Sequence, residues 1–310
     1  MKSMKANRIL VNTIIYIILT ISAVVWVLPI LWLFLQSFSG EGVSSRAKFA
    51  PSQWTLLNYY YLFVPNTHPS YAANNTTFDG IVANNLGGIE MTGFSLWFLN
   101  TLVVAILVCI ISTIFVLATA YALSRFRFKA RPTFMKLNLI LGMFPGFLGM
   151  IINYWVMKEI FHLQGQFWSL VILYSAGTGM GFFISKGFFD TISKSIDEAA
   201  MIDGASRAQI FWNIILPLAK PIVVYTILTS FMGPWGDYIT SSYIIGLQNT
   251  DNWTVAIGLY KWATDEQNYL NAYYTRYAAG SVVVAIPMAA LFIATQKYYV
   301  GGVTGGAVKG

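Results

Sequence analysis

Few residues in this chain are of the types that do covalent chemistry. Its two histidines, His68 and His162, cannot build a His-rich metal site unaided, and the single cysteine, Cys109, rules out an intramolecular disulfide. Neither histidine lies within a long apolar stretch where a serine nucleophile would need its base. The sequence has no H-E-x-x-H run for a catalytic zinc and no G-x-x-x-x-G-K-[ST] loop to cradle phosphates. Its charge-free windows also lack the buried ionisable groups that mark proton or ion coupling, and Asp237 stands only at the end of one of them. Enzymatic roles are set aside on these grounds.

The informative spacing lies in Ser195 to Pro221. Ser195 with Glu198 three residues later has the pattern of a capping box, and Asp197 and Glu198 suit the electropositive first turn of a helix. The spacing predicts a short helix to Asp203. Gly204 suits the left-handed residue that ends it, and Ser206 with Gln209 repeats the capping pattern on the way to Pro217. Two helices at an angle, joined by Gly204-Ala205, are expected. Ala199 and Ala200 would keep one face small enough to enter a partner's groove, while Met201 and Ile202 add flexible apolar contact. A helix lying on the membrane surface is the alternative. It would need lysine and arginine on its polar face, where this one carries acids.

The elements that must hold this segment are set by composition. Of the 310 residues, 56% are hydrophobic and 10% are charged, against about a quarter charged in soluble domains, so the bilayer is the solvent. A spanning helix needs roughly 17 to 25 apolar residues. Windows of that kind place helices at about 9–38, 97–124, 136–157, 167–186, 217–236 and 278–297. The stretch from Phe49 to Phe78 is uncharged but holds Pro51, Pro65 and Pro69, so its backbone could not be satisfied in hydrocarbon. Outer loops then cover 39–96 and 237–276, the inner segment with the caps covers 190–216, and a tail covers 298–310. With both termini inside, 14 basic residues fall on the inner side and 5 on the outer, as the positive-inside rule asks. The formal charge of +7 is therefore a record of topology and does not point to nucleic acid. The first window is too long for a signal peptide's core and reads as an uncleaved anchor.

Breaks are expected at Gly142, Pro145, Gly146 and Gly149, at Gly233-Pro234, and at Pro287. Asn138, Asn153, Ser175, Thr178 and Ser230 lie near these breaks and are candidates to line a polar pathway; interhelical hydrogen bonding is the other use of such groups. In the second outer loop, Trp253, Tyr260 and Trp262 offer faces for stacking on a sugar or a partner protein, or form an interfacial aromatic belt.

Glu198-Ala199-Ala200, Asp203-Gly204-Ala205, Phe211, Ile214, Leu216-Pro217 and Pro221 resemble the EAA loop of binding-protein-dependent ABC importer permeases. The run from Ala120 to Phe128, Lys186-Gly187-Phe188-Phe189 and the glycine-rich tail from Gly301 to Gly310 extend the likeness over nearly the whole chain. It is greatest to the second, shorter permease of maltose-type carbohydrate transporters. The resemblance implies an all-α, six-helix membrane protein with the type I ABC importer permease fold in a bacterial inner membrane. Glu198, Ala199, Ala200, Asp203, Gly204, Ala205 and Pro217 would couple it to cytoplasmic ATPases, with Glu198 either pairing with a basic residue there or serving its own cap. The implied partners are a second permease as a heterodimer, two copies of an ABC ATPase, an extracytoplasmic solute-binding protein probed by the 237–276 loop, and lipid. The chain itself would bind no cofactor; ATP and Mg would belong to the ATPases. Composition alone would make the tail disordered, whereas the resemblance has it dock on the ATPases. Cargo is not written in the loop: a carbohydrate is implied, with a phosphorylated polyol or peptide as the same-fold alternative and an unrelated channel or membrane enzyme as the third class.

Overall fold

A computed structural model describes residues 2–40, 48–63, 93–176, 181–264 and 273–307. Among these the chain is helical, apart from turns, extended links and an isolated bridge between Ser39 and Trp54. The helices are α1 (Lys2–Gln36), α2 (Leu57–Phe63), α3 (Gly93–Arg125), α4 (Arg131–Gly142), α5 (Gly146–Trp155), α6 (Trp168–Ala176) and α7 (Gly181–Thr191). They continue with α8 (Lys194–Ile202), α9 (Arg207–Leu218), α10 (Lys220–Gly236), α11 (Tyr238–Ile245), α12 (Val255–Thr264) and α13 (Tyr273–Ala307). Two compact units divide them: residues 1–92 with 259–283, and residues 93–258 with 284–310.

In the first unit α1 exposes apolar side chains along nearly its whole length, as a helix does when lipid or a partner replaces water. Its end is tied locally. Asn58 on α2 donates to the carbonyls of Ser37 at 3.0 Å and Ser39 at 2.8 Å and accepts from Thr275 at 2.9 Å. Arg276 lies 4.8 Å over the Tyr61 ring. A buried asparagine with these partners closes the turn below α1, because none of its bonds to water needs to be kept.

In the second unit α3 is the central post, packed on α6, α7 and α10. It is long and apolar enough to cross a bilayer, as are the 8–36 part of α1 and the 274–298 part of α13. Three helix pairs pass the same test only when taken together across a bend. α4 and the segment from α5 to Ile160 turn by 102°. There Pro145 takes an extended conformation at the cap of α5 and has no N–H to continue the helix. α9 and α10 turn by 88° at Ala219, with Pro217 in the last turn of α9 and Pro221 in the first turn of α10. α6 and α7 are the third pair, with 177–180 outside the described residues.

Three expectations change. The glycine-rich tail is helical as far as Ala307, where composition suggested disorder; its backbone continues the ladder of α13 without interruption. The 237–276 region, expected as a loop, is mostly helix where it is described, as α11 and α12, with 265–272 outside the described residues. Pro287 leaves α13 uninterrupted.

Candidate coupling site and polar cavity

The 190–216 segment is built from local chemistry. Its first helix, α8, is capped by Ser193, whose side chain accepts from the Ser195 N–H, so the expected Ser195–Glu198 box does not form. The two serines compete for one role, and the earlier one wins because the helix starts two residues sooner, at Lys194. Only Asp197 then falls in the first turn. At the far end Gly204 has φ +83°. The Ala205 N–H reaches the Ala200 carbonyl at 2.9 Å and the Gly204 N–H reaches Met201 at 3.1 Å, the paired bonds of a Schellman motif. Ser206 and Gln209 form the expected reciprocal capping box. α9 continues through a π-turn, Ile210–Ile215, to Leu216-Pro217-Leu218.

Packing divides the seven expected coupling residues. Ala200 is buried with Phe211, Ile210 and Ile215 in a core formed with Tyr121 of α3 and Phe189 of α7. The Tyr121 and Phe211 rings are 4.9 Å apart. Ala200 therefore faces its own chain and is not free to enter a partner's groove, a correction to its expected role. Ala205 is half-buried. Glu198, Ala199, Asp203, Gly204 and Pro217 are exposed, together with Ile202 at 87% exposure. Released from the cap, Glu198 has no hydrogen bond or ion pair among the described residues. The outward side is thus a stiff, mixed acidic and apolar knob. Beneath it, burial pushes the Asp190 carboxyl up, but hydrogen bonds from Lys186 and Ser124 and the charges of Lys186 and Arg131 outweigh this and hold it below the usual range.

A cavity of about 460 Å³ opens between α3, α6, α7 and α10. Its polar lining includes Ser112, Tyr174, Tyr225, Thr226, Thr229, Ser230 and Asp237. Ser230 bonds Ser112 at 3.3 Å, and the Tyr174 hydroxyl donates to Asp237 at 2.9 Å while Asp237 also caps α11 through the Thr240 N–H. Of the expected pathway residues, Ser230 is in this lining. Ser175 is buried on α6, Asn138 bonds its own helix at Phe134, Asn153 is half-buried on α5, and Thr178 lies outside the described residues. Thr226 and Thr229 went unnoticed in the sequence, though with Ser230 they form an i, i+3, i+4 stripe on α10 that helical spacing could have revealed.

At the opposite end, Trp253 is buried: its ring packs 5.4 Å from that of Trp97 and its N–H reaches the Gly246 carbonyl. That withdraws it from the contact surface expected of it. Tyr260 is exposed and Trp262 half-buried. Holding Trp253 in place are the first turns of α3. Trp97 donates to the Thr250 carbonyl at 3.0 Å, Asn100 to Asp251 at 2.8 Å and Trp253 at 3.1 Å, and Thr101 accepts from the Val255 N–H at 2.8 Å.

Comparison with known proteins gives a consistent result. Residues 114–299 match the family described as the binding-protein-dependent transport system inner membrane component. The chain is 33% identical, over 99% of both sequences, to the galactooligosaccharides transport system permease protein GanQ of Bacillus subtilis (strain 168). It is 32% identical, again over 99% of both, to the maltodextrin transport system permease protein MalD of Streptococcus pneumoniae (strain ATCC BAA-255 / R6). Its fold is similar to a chain in the crystal structure of a bacterial ABC transporter involved in import of the acidic polysaccharide alginate. The TM-score is 0.71 at 22% identity, covering 95% of this chain and 98% of the other.

Proposed function

The chain belongs to the family of inner membrane components of binding-protein-dependent transport systems, and from that premise we propose that it is the permease subunit of an ATP-driven oligosaccharide importer. The cargo reading rests on relatives named for galactooligosaccharides and maltodextrin. In this reading six spans, the fifth of them α10 without α9, run with both termini inside. They form half of a pathway whose other half is a second, different permease. The polar cavity beside α10 is this chain's share of that path, with hydroxyls suited to exchange hydrogen bonds with a sugar's own.

The observation that carries the coupling part is the defined termination of α8: Ser193 caps one end and the left-handed Gly204 closes the other, leaving Glu198, Ala199, Ile202 and the C-cap Asp203 exposed. Such a knob suits the groove of a cytoplasmic ATPase, where Glu198 pairs with a basic side chain. Two ATPase copies hold ATP and Mg, a solute-binding protein delivers cargo outside, and Tyr260 and Trp262 belong to the region that meets it. The test is the chain copurified with its partner permease, ATPases and binding protein and placed in proteoliposomes. ATP-dependent uptake of maltotetraose or galactotriose is expected; uptake of neither, with transport of a peptide or polyol phosphate instead, would overturn the cargo assignment.

A further inference from the structure

The last turn of α3 carries a two-residue clasp on the link that leads into α8. Ser124 donates to Asp190 at 2.6 Å, at the end of α7. Next to it Arg125 donates through Nη2 to the Ile192 carbonyl at 3.0 Å and places Nε 3.1 Å from Asp197 on α8. The Arg125 and Asp197 side chains are only 2% and 4% exposed. Their contact is one of charge without aligned hydrogen bonds, for Arg125 Nε and Nη1 and both Asp197 oxygens lack a hydrogen-bond partner.

A buried ion pair of this kind is a poor source of stability, because the cost of drying both charges cancels much of their attraction. An apolar pair of the same volume would hold α8 to α3 at least as well. What the charges supply is a single register: either one left alone is costly, so α8 and the end of α3 cannot slip apart independently. α3 also carries Val108, Ser112 and Val116 into the cavity wall. Ser112 lies 13 residues up the helix from Arg125, roughly 20 Å along a continuous rod.

We propose that Arg125 and Asp197 are a positioning pair for energy coupling, making α8 and α3 move as one body so that displacement of the outward knob is delivered to the cavity wall at Ser112. This rests on the coupling reading of α8 given above. Glu198 and Asp197, adjacent in sequence, then divide the work: Glu198 meets the ATPase, and Asp197 passes the motion inward.

The test uses the complete reconstituted transporter with Arg125→Gln, Asp197→Asn and the double variant, measuring thermal stability, ATP hydrolysed and maltotetraose moved. Each single variant leaves one buried charge unpaired and is expected to lower both stability and sugar moved per ATP. The double variant leaves neither charge. It should recover stability and ATPase assembly while still moving about tenfold less sugar per ATP, within the usual range of coupling energies. Recovery of wild-type coupling in the double variant would overturn the proposal and make the pair merely structural. Gly204→Val, at the outward end of α8, separates the two readings. If it leaves sugar per ATP unchanged, the coupling role of the whole segment fails; if it uncouples while the double variant does not, only the role of the pair fails.

Discussion

Asp197 and Glu198 are consecutive residues of one helix with different surroundings: Asp197 is buried 3.1 Å from Arg125, and Glu198 is exposed with no partner among the described residues. A helix turns by about 100° per residue, so the two carboxylates leave it in different directions.

Gly204 should tolerate asparagine and resist valine. Its φ of +83° is costly for a β-branched residue, while a Cβ there would meet nothing within 4 Å, so the penalty is conformational rather than steric. Gly204→Val should cost about 1–2 kcal/mol at the end of α8 and lower transport per ATP. Gly204→Asn should stay close to wild type in the same uptake assay.

Gly258 is set by contact. A Cβ on it would stand 1.8 Å from the Trp97 ring, a distance no rotamer of so large a buried ring can absorb cheaply. Gly258→Ala should destabilise the protein by about 1–3 kcal/mol, read as a drop in thermal unfolding temperature in detergent. Pairing it with Trp97→Leu should recover part of the loss.

Asn100 holds the carbonyls of Asp251 and Trp253. Asn100→Ala would leave both short of a donor, at about 1–3 kcal/mol. Hydrogen exchange should rise in residues 250–255 and stay unchanged in α8.

Asp190 predicts a pH dependence. Its folded carboxyl lies below the ordinary value of 3.8, so its interactions stabilise the folded chain fully above that value and are lost as pH falls through the folded value. The stability difference between wild type and Asp190→Asn should be constant near neutrality and shrink in acid. A difference that grew in acid would contradict the assignment.

How much of this was legible in the sequence depends on how local its cause is. The Gly204 turn and the Ser206–Gln209 box follow from neighbouring residues, and both form as expected. The α8 cap moved from Ser195 to Ser193 because two serines of the same type stood within reach and only the backbone's start decides between them. Burial of Ala200 and Trp253 depended on distant partners, Tyr121 and Trp97, whose positions no local pattern states. The cavity is the extreme case. Its lining comes from several helices far apart in the chain, so Ser230 could be suspected alone while Tyr174 and Asp237 could not be joined to it.

The most direct test of the coupling account is a photo-crosslinking residue at Ile202, which is 87% exposed on the outward side of α8, compared with the same residue at Asn138 on α4. In the assembled complex, Ile202 should crosslink to the cytoplasmic ATPase subunit and Asn138 should not. Crosslinks from Ile202 only to lipid or to the second permease, with the ATPase present but unlabelled, would contradict it.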